Sequence, residues 1–97
     1  MGQIVISEQD IINAICIDQA RKRSVQPEEV EVELLFDDDH GFSADVYIHS
    51  WKHELQTVDM IQAIRLWIEE ELHGDPYSAG IDLMLDDEEG IIAQVHQ

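Results

Sequence analysis

The chain repeats itself at a spacing of 49 residues, and this repeat limits the folds that are open to it. When residues 10–46 are laid on residues 59–95 without a gap, 11 of the 37 positions are identical. The identical positions of the first copy are Asp10, Ile12, Ala14, Ile15, Pro27, Leu34, Asp37, Asp38, Gly41, Ala44 and Val46. Because two copies are too few for a solenoid, the repeat predicts one domain over residues 1–97 with an internal pseudo-twofold relation.

Each copy predicts a helix followed by two strands. The first helix begins at Ser7, carries acids in its first turn and ends in a basic triplet at residues 21–23, as the helix dipole favours. The second begins near Thr57, and Gly74 and Pro76 end it at about His73. Short apolar segments at residues 3–6 and 53–55 precede the helices as extra strands, which makes the order (β)αββ twice.

The strand segments alternate apolar and polar residues, which predicts an antiparallel sheet with one apolar face. A register that sets Phe36 opposite Phe42 keeps the apolar residues together and sets Glu33 opposite Asp45. The glycines Gly41 and Gly90 each close an acidic hairpin turn. The predicted fold class is therefore α+β, with one antiparallel sheet of four to six strands and two helices on its apolar face.

The charge of the chain restricts its partners. Five Lys and Arg residues stand against 22 Asp and Glu residues, a net charge of −17. Such a chain repels phosphate backbones and anionic lipids, which argues against nucleic acid and membrane surfaces. A basic protein partner, metal cations or solubility alone remain as explanations. One cysteine, no signal peptide and no membrane-spanning run predict the cytoplasm.

Each predicted helix carries two apolar seams. The core stripes are Ile12, Ile15 and Cys16 on the first helix and Ile61, Ile64, Ile68 and Leu72 on the second. The second seam consists of Ala14, Ile17, Ala63, Leu66 and Trp67, on a side that should be polar if it faced solvent. Either the two helices pack on each other through this seam, or a second copy covers it in a homodimer, or it lines a ligand groove.

The polar sheet face offers a candidate metal or small-ligand site. Glu33 and Asp45 lie opposite each other in the predicted register, where like charges are unfavourable. A divalent cation that bridges them, with His49 or His53 nearby, would relieve the repulsion; the simpler alternative is that both carboxylates are solvated.

The acidic turns do not follow the calcium-loop pattern, because glycine is fifth rather than sixth from Asp37 and position twelve is an isoleucine. We interpret their acids as solvated turn residues; weak cation binding by the turns is the alternative. The acidic turn residues are Asp37, Asp38, Asp39, Asp86 and Asp87.

Arg65 falls on the core-facing stripe, at the position of Cys16 in the first copy. A charge there needs a partner, so Arg65 is either a structural ion-pair residue or an anion-binding residue in a pocket. Cys16 reads as a small core residue. The chain has no nucleophile–base set, phosphate loop, zinc pattern or dinucleotide fingerprint, which argues against an enzyme and predicts no cofactor.

Four segments resemble one protein family: SEQD at residues 7–10, NAIC at 13–16, VQPEEVEVEL at 25–34 and GFSA at 41–44. They resemble the YxcD-like family, small uncharacterised proteins of spore-forming bacilli. The resemblance implies a cytoplasmic α+β protein of unknown function and supplies no catalytic residue.

The sequence as a whole favours a non-enzymatic, self-associating interaction or regulatory domain whose acidic face or turns engage a basic partner. The alternative is a domain that binds a divalent metal or a small ligand through the carboxylates and histidines of the exposed sheet face.

Overall fold

A computed structural model describes residues 3–71 and 80–96 and confirms an α+β fold. The elements are β1 Gln3–Ile6, α1 Glu8–Arg23, a short 3-10 turn Pro27–Glu29, β2 Val30–Asp37, β3 Gly41–Ile48, β4 Trp51–Leu55, α2 Thr57–Glu71, β5 Gly80–Asp86 and β6 Gly90–His96. Both extra strands are thus present, as β1 and β4. The predicted end of the second helix at His73, Gly74 and Pro76, and the core position of Leu72, lie outside the described residues.

The strands form two antiparallel sheets of three, ordered β1-β6-β5 and β2-β3-β4, rather than one sheet. The prediction of a single sheet is therefore wrong. β1 and β4 each pair with the second strand of a hairpin and satisfy its free backbone groups, so this strand is not available to join the two hairpins into one sheet. This leaves β2 and β5 at sheet edges, and no ladder within residues 3–71 and 80–96 joins the two sheets.

The first hairpin has the predicted register. Phe36 lies opposite Phe42, with ring centroids 4.9 Å apart, and Glu33 lies opposite Asp45. This register places the apolar residues of β2 and β3 on the core side and their acids on the outer side.

The third strand of each sheet comes from the other half of the sequence. β1 lies on β6 with Ile4 opposite Val95, and β4 lies on β3 with His53 opposite Val46. These two pairs are equivalent at the 49-residue offset, because Ile4 corresponds to His53 and Val95 corresponds to Val46. β1 and β4, which we call the exchanged strands, therefore have the same register. The two hairpins also match at this offset.

Local signals set the ends of α1. The Ser7 hydroxyl oxygen accepts a hydrogen bond from the backbone N–H of Asp10 (3.2 Å), which satisfies a free donor of the first turn. At the other end Ser24 adopts a left-handed conformation with φ 59° and terminates the helix.

One core joins both sheets and both helices. Its fully buried large side chains are Ile6, Ile11, Ile15, Val46, Met60, Ile64, Ile68 and Val95. Three residues predicted for the core stripes, Ile12, Cys16 and Ile61, are only half-buried. The helices contact each other as well as the sheets. Each helix is therefore oriented so that Ile11 on α1 and Met60 on α2 face the core instead of these three residues.

Candidate functional site

Three carboxylates form a row across the outer face of the β2-β3-β4 sheet. Glu33 lies opposite Asp45, and Asp45 lies opposite Glu54 on the next strand. Neighbouring residues in a row of this kind have Cβ atoms roughly 5 Å apart, so the three negative charges reinforce one another. Glu31 lies on the same face one row away, opposite Tyr47. We call Glu31, Glu33, Asp45 and Glu54 the acidic face.

One lysine lies on this face. Its row is Glu31, Tyr47 and Lys52, and the Lys52 ammonium is 3.6 Å from Asp45 Oδ2 and 5.9 Å from the centroid of the Tyr47 ring. The Asp45 side chain is 11% exposed, whereas Glu33 and Glu54 are exposed. Asp45 is therefore paired with Lys52, whereas the two flanking glutamates form no ion pair with a lysine or arginine among the described residues.

The structure does not bring the four candidate metal ligands together. Glu33 and Asp45 are neighbours, but His49 lies in the β3–β4 turn with φ 56°, and its Nε2 is 3.0 Å from Glu29 Oε1. His53 lies on the opposite, core-facing side of β4, because it pairs with buried Val46. No group of three His, Cys, Asp or Glu residues in the described ranges has metal-site geometry.

His49, in the β3–β4 turn, affects the pKa of the Glu29 carboxyl group. Hydrogen bonds from the backbone N–H of Gln26 and from the His49 ring lower the pKa of Glu29. On the other face, His53 stacks on Trp51 with ring centroids 5.2 Å apart, and the Arg23 guanidinium lies 4.4 Å from the Trp51 ring centroid. Both histidines therefore have structural contacts.

The two acidic turns are built by one carboxylate each. Asp37 Oδ1 accepts from the backbone N–H groups of Asp39 (2.7 Å) and His40 (3.3 Å). Asp86 Oδ1 does the same for Glu88 (2.8 Å) and Glu89 (2.9 Å). These backbone hydrogen bonds lower the pKa of both aspartates. The remaining candidates of the turns, Asp38, Asp39 and Asp87, are exposed.

The second apolar seam lies where the helices cross. Ala14 and Ala63 are 2% and 1% exposed and lie between α1 and α2, so they are not available to a second subunit. Small residues at this point let the helix backbones approach closely. The outer part of the seam remains accessible: Ile17 and Trp67 are half-buried, and Leu66 is 43% exposed.

An ion pair closes the crossing at one end. Arg21 pairs with Glu70, and these two residues are themselves 49 positions apart. The contact raises the pKa of Arg21 and lowers that of Glu70. Both side chains are well exposed, so the pair orients the helices more than it stabilises them.

Every lysine and arginine of the chain has a partner within it. Arg21 pairs with Glu70, Lys22 with Asp18, Arg23 with Trp51 and Lys52 with Asp45, and the half-buried Arg65 also has an interaction. No lysine or arginine of the chain is therefore left without a partner to neutralise the remaining acids of the surface.

Cys16 is half-buried on α1. Its thiol donates a hydrogen bond to the Val30 carbonyl oxygen (3.5 Å), and burial raises the pKa of the thiol. A raised pKa disfavours the reactive thiolate, so these contacts are those of a structural residue.

The chain is related to known proteins. A family model described as "Protein of unknown function (DUF2653)" matches residues 1–88. The chain belongs to this family. It is also 28% identical over 94 residues to the uncharacterised protein YxcD of Bacillus subtilis (strain 168), which covers 96% of this chain and 92% of that protein. The YxcD-like resemblance is therefore confirmed. No solved structure matches the chain.

The match to this family of unknown function spans the acidic face, both helices and the first five strands. It assigns no chemistry to any residue. Within the described residues, neither helix has both the length and the apolar character that crossing a bilayer requires.

Sequence reasoning missed the place of Glu54 in the acidic row, because it depends on the pairing of β4 with β3. A ligand groove was one of its three alternatives for the second seam. Ile17 and Trp67 of that seam line a groove beside the helix crossing together with Pro27 of the 3-10 turn, whose part the sequence did not indicate.

Proposed function

We propose that this protein is a non-enzymatic interaction domain of the cytoplasm that recognises a basic segment of another protein through its acidic face. The observation that carries the proposal is the row Glu33, Asp45 and Glu54, in a chain whose cations are all engaged internally. A partner that brings lysines or arginines to Glu33 and Glu54 would relieve the repulsion within the row.

A flat three-stranded face suits an extended segment. Because lysine side chains are long, a basic strand or loop can contact carboxylates on adjacent strands at once. Complementary charge of this kind mainly raises the association rate and selects the partner, so binding should weaken with salt.

The test is binding of a fluorescent oligolysine of about ten residues, followed by anisotropy at low and high salt. We expect Glu33→Gln/Glu54→Gln to weaken binding about tenfold at low salt. The matched control is Asp38→Asn/Asp39→Asn, which removes the same charge from an exposed turn. An equal loss in both variants would show that only net charge matters and would overturn the role of the face.

Self-association has a separate observation in its favour. The outer face of the β1-β6-β5 sheet carries Val5 (56% exposed) and Met84 (40% exposed); of its two described acids, Asp82 is 3.1 Å from His96 and Asp86 lies at the turn end of β5. Two copies with net charge −17 each can meet only where acids are few. We expect light scattering to report a dimer that Val5→Lys/Met84→Lys dissociates; a monomeric native chain would refute this contact.

Duplication of an ancestral half-length unit accounts for both halves of the fold. It is supported by the 49-residue offset of the strand registers and of the helix starts. The outer faces of the two sheets have since diverged, one acidic and the other apolar.

A further inference from the structure

Beside the helix crossing, an open groove of about 590 Å³ lies between α1, the end of α2 and the 3-10 turn. Apolar atoms of Ile17, Trp67, Pro27 and the half-buried Cys16 line part of it. Ile17 and Trp67 also line the crevice over the crossing, together with Leu66, so the apolar surface continues from one to the other.

Three carboxylates surround this apolar lining. Asp10 lies on the first turn of α1, Glu28 on the 3-10 turn and Glu71 at the last described residue of α2. None of them forms an ion pair with a described lysine or arginine, and no lysine or arginine is among the described lining residues, although the charge of Glu71 also acts on Arg21. The groove therefore combines an aromatic and aliphatic lining with a negative rim.

We propose that this groove is the docking site for an amphipathic basic segment of a partner protein. Apolar side chains of that segment pack on Trp67 and Ile17, and flanking lysines or arginines pair with Asp10, Glu28 and Glu71. A purely apolar occupant would desolvate three carboxylates without replacing their lost hydration. A purely cationic occupant would leave the apolar lining uncovered.

Charge excludes the other occupants. Nucleic acids and anionic lipid surfaces carry the same sign as the rim and are repelled. A second copy of the chain is also repelled, because its net charge of −17 has the same sign as the rim and its five lysines and arginines already have partners within their own chain. The occupant is thus a different protein, recognised in the manner of a segment that lies in a groove.

This site is distinct from the acidic face, so the two proposals are tested with different probes. The probe for the groove is a synthetic peptide of about 14 residues with leucines on one helical face and lysines on the other. The comparison probe is an oligolysine of the same length. The protein is the full chain with Trp51→Phe, which leaves Trp67 as its single tryptophan.

Two readouts are combined: titration calorimetry for affinity and the emission of Trp67 for location. We expect the amphipathic peptide to shift the Trp67 emission to shorter wavelength and oligolysine to leave it unchanged, because only the first brings apolar groups to the ring.

The variants place and remove charge in matched pairs. Asn13→Lys puts a cation into the groove, and Gln62→Lys puts one at the equivalent, exposed position of α2. We expect Asn13→Lys to weaken the amphipathic peptide about tenfold and Gln62→Lys to change it less than about twofold. Glu28→Gln/Glu71→Gln should act like Asn13→Lys, and Asp38→Asn/Asp39→Asn, in an exposed turn away from both surfaces, should act like its control.

Each result decides the proposal. A Trp67 shift that the groove variants abolish and the controls preserve supports it. Binding without a Trp67 shift overturns the groove and leaves the acidic face standing. Equal weakening by both charge-removal variants also overturns the groove, because it would show that only net charge matters. Failure of the amphipathic peptide to bind at low salt, with oligolysine still bound, also overturns the groove alone.

Discussion

Gly41 and Gly90 occupy equivalent places at the starts of β3 and β6, with φ of 78° and 79°. Their surroundings differ. A Cβ on Gly90 would lie 2.6 Å from Glu8 Oε2, whereas the nearest atom to a Cβ on Gly41 is the Thr57 hydroxyl oxygen at 4.0 Å. Glu8 Oε2 accepts a hydrogen bond from the backbone N–H of Ile91 (3.0 Å), so displacing it removes the tie between α1 and β6.

We therefore expect Gly90→Ala to destabilise the protein more than Gly41→Ala. Both variants carry a backbone penalty of about 1–2 kcal/mol for the left-handed conformation. Only Gly90→Ala also loses the Glu8 hydrogen bond, which adds about 1 kcal/mol. Urea unfolding measures the difference. In a Glu8→Ala background the two glycine variants should become equal; a persistent difference would mean that Glu8 is not the cause.

A second prediction at this scale concerns Asp37 and Asp86. The folded pKa of each lies below its ordinary value of 3.8, because backbone N–H groups bind the ionised form. Their contribution to stability is present above that ordinary value and is lost as the pH falls through the lowered folded pKa. Asparagine retains an accepting oxygen but does not titrate. Thermal melts of Asp37→Asn/Asp86→Asn should therefore lose less stability between about pH 5 and pH 2 than the native chain. Asp38→Asn/Asp87→Asn removes the same charge from the same turns and is the control; an equal change in both variants would show that the backbone hydrogen bonds of Asp37 and Asp86 are not the cause.

At the scale of elements, the close crossing of α1 and α2 depends on two alanines. Ala63→Leu would force a larger side chain between helices that already touch, which costs about 1–3 kcal/mol of stability. Urea unfolding of Ala63→Leu and of Gln62→Leu, its exposed neighbour on α2, measures this effect. Equal stability of the two variants would contradict close packing at the crossing.

The elements themselves could be read from the sequence to a large extent. Alternation and the acidic, glycine-closed turns predicted both hairpins and the register of Phe36 with Phe42, because each hairpin is a local structure with a short loop. The helix start at Ser7 followed equally from a capping side chain.

The arrangement of these elements could not be read in the same way. Whether β1 adds to β2 or to β6 depends on long-range pairing, which periodicity within a strand does not record. The same limit applied to the candidate sites: the place of Glu54 in the acidic row depends on β4 joining β3, and His53 was set with Glu33 and Asp45 although its pairing with Val46 turns it to the core side.

At the scale of the whole molecule, the exchange of β1 and β4 ties the two halves together. Each half contains a helix and a hairpin, but the third strand of its sheet belongs to the other half. If the chain is divided at the β3–β4 turn, fragments 1–49 and 50–97 each leave one hairpin without its third strand and one strand without a sheet. The helix crossing and the common core are divided as well.

The two fragments should therefore fold on each other when mixed, even though neither is complete alone. Association must overcome the loss of translational freedom, and burial of the shared core supplies the driving force. We expect circular dichroism and size-exclusion chromatography to show a one-to-one complex with the spectrum of the intact chain.

Two copies of fragment 1–49 would set Arg21 against Arg21 where the intact chain sets Arg21 against Glu70, which favours the mixed pair. Removing the exchanged strand, with fragment 56–97 in place of 50–97, should weaken association at least about tenfold. If 56–97 binds as well as 50–97, or if each fragment folds alone as a monomer, the exchanged strands do not hold the halves together.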